Sequence, residues 1–153
     1  MTTTLQLTRV ESGTVGRVSD GDTLRLTDGR KIRIVQIDAP ELETDCYGQP
    51  ARRALRRLAA PGTHVMLERD PALDATDRYG RLLRYIAVDG NDIGLALVAE
   101  GAAEPYFFRK QRGRHADELL IAAKSARAAR RGLWGACPDA RLEPGIGSVT
   151  GTA

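Results

Sequence analysis

The chain has 153 residues, of which 42% are hydrophobic and 28% charged, and its formal net charge is only +3. These values indicate an ordinary soluble globular protein of one domain, long enough to bury a core unaided. No apolar run is long enough to span a bilayer, and two cysteines without C-x-x-C spacing argue against a structural zinc site.

The first half of the chain favours β-strands. Segments rich in β-branched and aliphatic residues alternate there with the turn dipeptides Asp20-Gly21 and Asp28-Gly29. If Asp28-Gly29 forms a two-residue turn, Leu24 pairs with Arg33, and strand alternation places Asp22 on the same face. The predicted strands are Thr14–Val18, Thr23–Thr27, Lys31–Ile37, His64–Glu68 and Leu82–Val88.

Three helices interrupt or follow these strands. Pro50 suits a first helical turn, and an apolar stripe follows it while Arg52, Arg53, Arg56 and Arg57 face away. A short apolar helix runs from Asp92 to Glu100, and a longer one begins near Ala116 and closes near Gly132.

Five short strands with one helix between the third and fourth predict a Greek-key barrel of the oligonucleotide-binding (OB) type. With its three helices, the fold class is α+β. The predicted folded domain spans residues 11–137. Residues 138–153 are rich in Gly, Ser and Thr, which predicts a flexible tail.

Carboxylates stand at the ends of two predicted strands. Asp22 precedes the second strand, and Asp38 follows the third, where Pro40 enforces an extended backbone at Ala39 and Glu41 comes next. Oxygen ligands of this kind suit Ca²⁺ or Mg²⁺. Taken singly, however, an aspartate beside glycine is more often a turn residue than a ligand.

Three segments together resemble the staphylococcal nuclease (thermonuclease) family in order and spacing. They are Asp20 to Thr23, Arg33 to Glu41 and Thr76 to Arg81, and the likeness continues to Trp134. The resemblance implies a metal-dependent nuclease, an endonuclease that hydrolyses phosphodiester bonds of DNA and/or RNA and leaves 3′-phosphates. It also implies nucleic acid as the partner. We expect no membrane association, because no apolar run could span a bilayer, and a monomeric protein.

The resemblance also implies a role for each matching residue. Ca²⁺ is the implied cofactor, with Mg²⁺ as a substitute. The implied metal ligands are Asp22, Asp38 and the backbone carbonyl of Ala39. The scissile phosphate is assigned to Arg33 and Arg81, and activation of the attacking water to Glu41. The remaining substrate contacts fall to Arg78, Tyr79, Tyr106 and Phe108.

Two departures from the family pattern affect substrate binding. Phe108 lacks the hydroxyl that the family's second aromatic residue often carries, although it can still stack on a base. The loop from Glu41 to Tyr47 is short and acidic, whereas the best-known member has a longer, lysine-rich loop. One alternative is a non-catalytic nucleic-acid- or protein-binding module of the same fold. A more distant one is an OB-type protein that binds RNA through Arg52–Arg57.

The resemblance further suggests that Cys46 and Cys137 pair as a disulfide, because family members with a similar Cys-Tyr-Gly and Trp-Gly-x-Cys context look able to pair them. The alternative is two free thiols in a reducing cytosol. A disulfide would imply an exported bacterial protein, and the first ten residues show no secretory leader. Export with the leader absent is therefore the expectation, and a cytoplasmic location is the alternative.

Overall fold

The computed structural model describes residues 11–153, so the first ten residues, to which the expectation about a secretory leader refers, lie outside the described residues. The elements in chain order are β1 (Glu11–Val18), β2 (Thr23–Leu26), β3 (Lys31–Ile34), β4 (Ile37–Asp38), α1 (Gly48–Leu58), β5 (His64–Glu68), β6 (Leu82–Val88), β7 (Asn91–Asp92), α2 (Ile93–Ala99), β8 (Glu104–Pro105), α3 (Ala116–Ala128), α4 (Leu133–Ala136), β9 (Arg141–Glu143) and β10 (Gly147–Val149). No helix among these is long and apolar enough to cross a membrane.

Five strands close into a barrel. The strand order is β3-β2-β1-β5-β6, every neighbouring pair is antiparallel, and a parallel pairing of β3 with β6 joins the two edges. Alternate residues of β5 are buried, as expected where one strand face lines a core. The structure therefore confirms the predicted α+β class, the five-stranded OB-type barrel and the three helices, to which α4 adds one short turn.

The register of the β2–β3 hairpin differs from the prediction. Thr23 pairs with Arg33, so the predicted pairing of Leu24 with Arg33 is wrong by one residue. The Leu26 N–H donates to the Arg30 carbonyl at 2.9 Å, so Leu26 and Arg30 close the hairpin. Three residues remain in the loop between them, where the prediction had two. Leu24 consequently points into the core, where it is fully buried.

The third predicted strand ends early, and its break positions the site. β3 stops at Ile34, whereas the prediction extended it to Ile37. The reason is Gln36, whose φ of 69° lies in the left-handed region and turns the chain out of the barrel. The chain then forms β4, which carries Asp38 and pairs with β8.

Helix α1 packs against the turn that contains Asp20 and Asp22. A Cβ on Gly21 would lie 2.6 Å from the Ala39 Cβ and 2.9 Å from the Ala51 Cβ, so only glycine permits this approach. Ala51 and Leu55 of the helix are fully buried. Buried residues of α1 thus pack against this turn and hold it in place.

The segment after Cys137 differs from the predicted flexible tail. β9 and β10 form an antiparallel hairpin that returns to the barrel. The Phe107 N–H donates to the Pro144 carbonyl at 2.8 Å, and the Cys46 N–H donates to the Gly151 carbonyl at 2.9 Å. A disulfide joins Cys46 to Cys137 at the start of the segment. The partners that hold the segment come from distant positions, which local composition does not reveal.

Candidate active site

Two carboxylates, Asp22 and Asp38, share one guanidinium. The Nη2 atom of Arg33 lies 3.3 Å from Asp22 Oδ2 and 3.1 Å from Asp38 Oδ1. Its Nη1 atom donates to the carbonyl oxygens of Ile34 and Ile37. Asp22 is 6% exposed and Arg33 is 9% exposed. The structure therefore brings these three predicted site residues together, with Arg33 between the acids.

Asp22 is fixed by its neighbours through both carboxylate oxygens. Oδ2 accepts a hydrogen bond from the Ala39 N–H at 2.8 Å, and Oδ1 accepts one from the Thr23 hydroxyl at 2.8 Å. Burial opposes ionisation of Asp22, yet the charge of Arg33 and these hydrogen bonds hold the pKa of its carboxyl below the usual range. Asp22 is thus an ionised ligand candidate in a defined orientation, with the Ala39 backbone beside it.

A third carboxylate, Asp20, belongs to this cluster. Its Oδ1 accepts a hydrogen bond from the Asp22 N–H at 3.0 Å. Burial and the charge of Asp22 raise the pKa of Asp20 to about 7, and the same two causes raise the pKa of Asp38 to about 6. The sequence predicts Asp20 only as a turn residue, although its spacing from Asp22 could have indicated an acidic cluster.

No hydrogen bond or ion pair within residues 11–153 joins the side chain of Glu41 to this cluster. The Glu41 carboxylate has no such partner elsewhere in these residues either, and the residue is exposed. Its N–H donates to Asp45 Oδ2 at 2.8 Å, which fixes the backbone of the loop and leaves the side chain outside. The described residues contain no group of three His, Cys, Asp or Glu side chains arranged to hold a metal. Asp20, Asp22 and Asp38 are not such a group either, so a cation at this place would take at most two of their carboxylates together with backbone oxygens.

Arg81 is held through one edge of its guanidinium. Its Nε atom donates to Asp77 Oδ2 at 2.7 Å, and its Nη1 atom lies 3.5 Å from the Thr23 hydroxyl. Asp77 Oδ1 also accepts the N–H groups of Tyr79 and Arg81, at 2.9 and 3.0 Å. Asp77 thus fixes both the turn and the arginine. The sequence predicts no role for Asp77, although it belongs to the quoted motif.

A pocket of about 580 Å³ opens beside Arg33. Tyr79 and Phe108 in its wall are 64% and 48% exposed, which is unusual for large apolar rings. The Phe108 ring meets the ring of Tyr106 edge to face, with centroids 6.4 Å apart. The pocket brings together all six predicted phosphate and nucleotide contacts: Arg33, Arg78, Tyr79, Arg81, Tyr106 and Phe108. Arg33 is common to the pocket wall and the carboxylate cluster.

Gln36 connects the barrel to the segment that carries the pocket residues Tyr106 and Phe108. Its Oε1 accepts the Gly113 N–H at 2.7 Å, and its Nε2 donates to the Gln111 carbonyl at 3.1 Å. The Tyr106 N–H donates to the Gln36 carbonyl at 2.8 Å. Gln36 is buried, so these bonds define where the segment from Tyr106 to Gly113 lies. Nothing in the sequence alone marks this residue.

Comparisons with known proteins identify one family model and several relatives that are named as endonucleases. The family model "Staphylococcal nuclease homologue" matches residues 31–136. Endonuclease YncB of Bacillus subtilis (strain 168) is 30% identical over 129 residues, which cover 79% of this chain and 60% of YncB. A protein of Escherichia coli O157:H7 named "Uncharacterized endonuclease" is 37% identical over 127 residues, which cover 80% of this chain and 76% of that protein. The SPbeta prophage-derived endonuclease YokF of B. subtilis is 30% identical, and the match covers 43% of YokF. The chain thus spans less than two thirds of these two B. subtilis relatives.

Proposed function

Since this chain belongs to the staphylococcal nuclease family, we propose that it is a nuclease that hydrolyses phosphodiester bonds of DNA and/or RNA with the help of a divalent cation. The observation that carries the proposal is the position of Arg33, which stands between a cluster of acidic ligands and a pocket lined with arginines and aromatic rings. The names of the relatives, which are endonucleases, support the same activity.

The acidic cluster fits a hard cation. Asp22 and Asp38 both pair with the guanidinium of Arg33, and Asp20 lies beside Asp22, so the acidic side chains outnumber this one guanidinium. We propose that Asp22, Asp38 and the Ala39 carbonyl hold Ca²⁺, for which Mg²⁺ could substitute. Oxygen donors of this kind are the ligands that both ions prefer. When bound, the cation would neutralise phosphate charge and lower the pKa of a bound water.

The arginines supply the remaining positive charge. A phosphodiester in the pocket meets the guanidinium of Arg33 on the carboxylate side and that of Arg81 beside Thr23. Guanidinium hydrogen bonds strengthen as the phosphate oxygens gain charge during attack, so both groups stabilise the transition state. The Asp77 contact orients Arg81 before substrate arrives, which reduces the cost of reorganisation.

Water would attack phosphorus, and the proton it loses needs an acceptor. We assign this proton to the carboxylate of Glu41, whose exposed side chain is free of protein hydrogen bonds within residues 11–153. The family resemblance supports cleavage of the bond between phosphorus and the 5′ oxygen. That oxygen would leave as a hydroxyl with a proton from solvent, and the phosphate would stay on the 3′ side of the product. Tyr106 and Phe108 would stack on the base, and Arg78 with Tyr79 would contact a terminal phosphate.

The test is a digest of defined single- and double-stranded DNA and RNA in Ca²⁺, Mg²⁺ or chelator. We expect cleavage only with a divalent cation, and a loss of at least about 10² in rate for Asp22→Asn. The matched control is Asp28→Asn, because Asp28 is an exposed hairpin residue that pairs with Arg30. Full activity in chelator would contradict the metal role. Binding without any cleavage would instead favour a non-catalytic module.

A further inference from the structure

The backbone of β10 contacts a predicted metal ligand. The Ser148 N–H donates to Asp38 Oδ2 at 2.8 Å across a separation of 110 residues. Gly147 has a φ of 105°, and a Cβ at this position would lie 2.5 Å from the same carboxylate oxygen. The other oxygen of Asp38 faces Arg33 at 3.1 Å. The hairpin therefore occupies one oxygen of Asp38, while the other oxygen pairs with Arg33, which also pairs with Asp22.

Buried polar contacts hold β10 in this position. The Val149 N–H donates to Glu104 Oε2 at 2.9 Å, and Glu104 is fully buried. Glu104 lies on β8 directly opposite Asp38 on β4. Two successive backbone N–H groups of β10 thus donate to carboxylates on the paired strands β4 and β8. These two hydrogen bonds fix the position of the hairpin against both strands.

The same C-terminal segment also holds the loop that carries Glu41. The disulfide ties Cys46 to Cys137 where the segment begins. Where it ends, the Cys46 N–H donates to the Gly151 carbonyl, and the Ala153 N–H donates to the Thr44 carbonyl, each at 2.9 Å. The C-terminal segment therefore contacts both Asp38 and the loop that follows it.

We propose that the β9–β10 hairpin is a positioning element of the active site, in which the Ser148 N–H sets the orientation of Asp38 toward the cation. This inference rests on the proposed function. A hydrogen bond to one oxygen of a ligating carboxylate restricts its rotation and directs the other oxygen to the metal. Loss of such a partner reduces metal affinity or activity by about 10–100-fold. Ser148 acts through Asp38 and does not touch the substrate.

The first variant removes the donor alone. Ser148→Pro deletes the N–H, whereas Ser148→Ala keeps it and removes only a hydroxyl that is buried without a hydrogen-bond partner in the described structure. We expect Ser148→Pro to weaken Ca²⁺ binding, measured by calorimetry with the metal alone, by about 10–100-fold. It should also lower kcat with little change in KM. Ser148→Ala should bind Ca²⁺ like the parent.

A second variant keeps the proposal testable if proline disturbs folding. Gly147→Ala drives a Cβ toward Asp38 Oδ2. Gly151→Ala is its control, because Gly151 also has a positive φ, of 83°, but faces Asp139. Gly145→Ala meets no atom within 4 Å and controls for the substitution itself. We expect both positive-φ variants to lower the melting temperature of the metal-free protein, and Gly147→Ala alone to weaken Ca²⁺ binding.

The outcomes separate this proposal from the proposed function. A parent that binds Ca²⁺ and cleaves, with Ser148→Pro and Gly147→Ala equal to it in Ca²⁺ affinity, overturns the positioning role alone. A parent that neither binds Ca²⁺ nor cleaves overturns both. Weaker Ca²⁺ binding in Gly147→Ala, with parental binding in Gly151→Ala, supports the role of the hairpin.

Discussion

Arg33 and Arg81 carry the same charge, but the protein holds them differently. Arg33 uses both terminal nitrogens on carbonyl and carboxylate oxygens and is almost fully buried. Arg81 is held mainly through Nε, and its side chain remains more exposed. Replacement of Arg33 therefore removes more structural contacts than replacement of Arg81, so effects on catalysis and on stability are easier to separate at Arg81.

Arg81→Lys should lower kcat by about 10²–10³ and change KM little, because an ammonium cannot reproduce the two-pronged contact of a guanidinium with phosphate. The measurement is steady-state cleavage of a short oligonucleotide together with the melting temperature. Arg25→Lys, at an exposed position of β2, is the matched control. A lysine variant that keeps most of the parental kcat would count against the transition-state role of Arg81.

Glu41→Gln should slow cleavage by about 10²–10⁴ if the carboxylate accepts the proton of the attacking water. Calcium affinity, KM and melting temperature should remain close to parental values, because the side chain is exposed and makes no hydrogen bond within the described residues. Glu43→Gln, exposed in the same loop, is the control. If Glu41→Gln loses nucleotide affinity at unchanged kcat, Glu41 organises the site and is not the base.

At the scale of elements, Asp70 joins two segments on the pocket side of the barrel. Its Oδ2 accepts the Tyr85 hydroxyl at 2.7 Å and the Arg114 N–H at 2.9 Å, and its Oδ1 accepts the Ala72 N–H at 3.0 Å. The residue is buried. The chain continues from Asp70 to Asp77 and Arg81, which lie in the pocket wall. The hydrogen bonds of Asp70 therefore stabilise the start of the segment that forms this wall.

Asp70→Asn should destabilise the protein by about 1–3 kcal/mol at pH 7, because an amide cannot accept all three donors. Burial opposes ionisation of Asp70, but the Arg114 N–H and the Tyr85 hydroxyl hold its pKa below the usual range. A lowered pKa stabilises the fold above the unfolded value of about 3.9, and this contribution is lost as the pH falls through the folded value. The difference between parent and variant should therefore shrink below about pH 4.

Urea unfolding of Asp70→Asn at pH 7 and pH 3 measures this difference. Asp74→Asn, at an exposed position of the same loop, is the control and should unfold like the parent at both pH values. A difference between parent and Asp70→Asn that is the same at pH 3 and pH 7 would show that the ionised carboxylate is not what stabilises this network.

Local sequence patterns predicted the elements of the barrel, but they did not predict the details that depend on distant contacts. Strand and helix positions follow from periodicity, and they were close to the observed bounds. The Leu24–Arg33 register was wrong because one more residue in the hairpin loop shifts every pair. The hairpin at residues 141–149 was missed because Asp38 and Glu104, which hold it, lie far away in sequence. Asp20 and Asp77 stand in motifs, yet only the fold shows what they contact.

For the whole molecule, the Cys46–Cys137 disulfide encloses most of the chain, with a separation of 91 residues. Restriction of the unfolded chain by a loop of this length is worth about 4–5 kcal/mol in the entropy model, and strain usually reduces the gain. The Cys46→Ser/Cys137→Ser variant should therefore lose about 2–5 kcal/mol of unfolding free energy in urea. The unfolded, unreduced parent should titrate no thiols, and two titratable thiols would contradict the bridge. An intact bridge would also support export to an oxidising compartment.

The contact between Ser148 and Asp38 also has a consequence for the order in which the site is completed during synthesis of the chain. A ribosome adds the 110 residues between them in about 5–20 s, at roughly 5–20 residues per second. During that interval the growing chain already contains Asp22, Arg33 and Asp38, but Asp38 lacks its N–H donor. Asp38 is therefore expected to reach its final orientation only after the hairpin at residues 141–149 has been synthesised and has folded back onto β4.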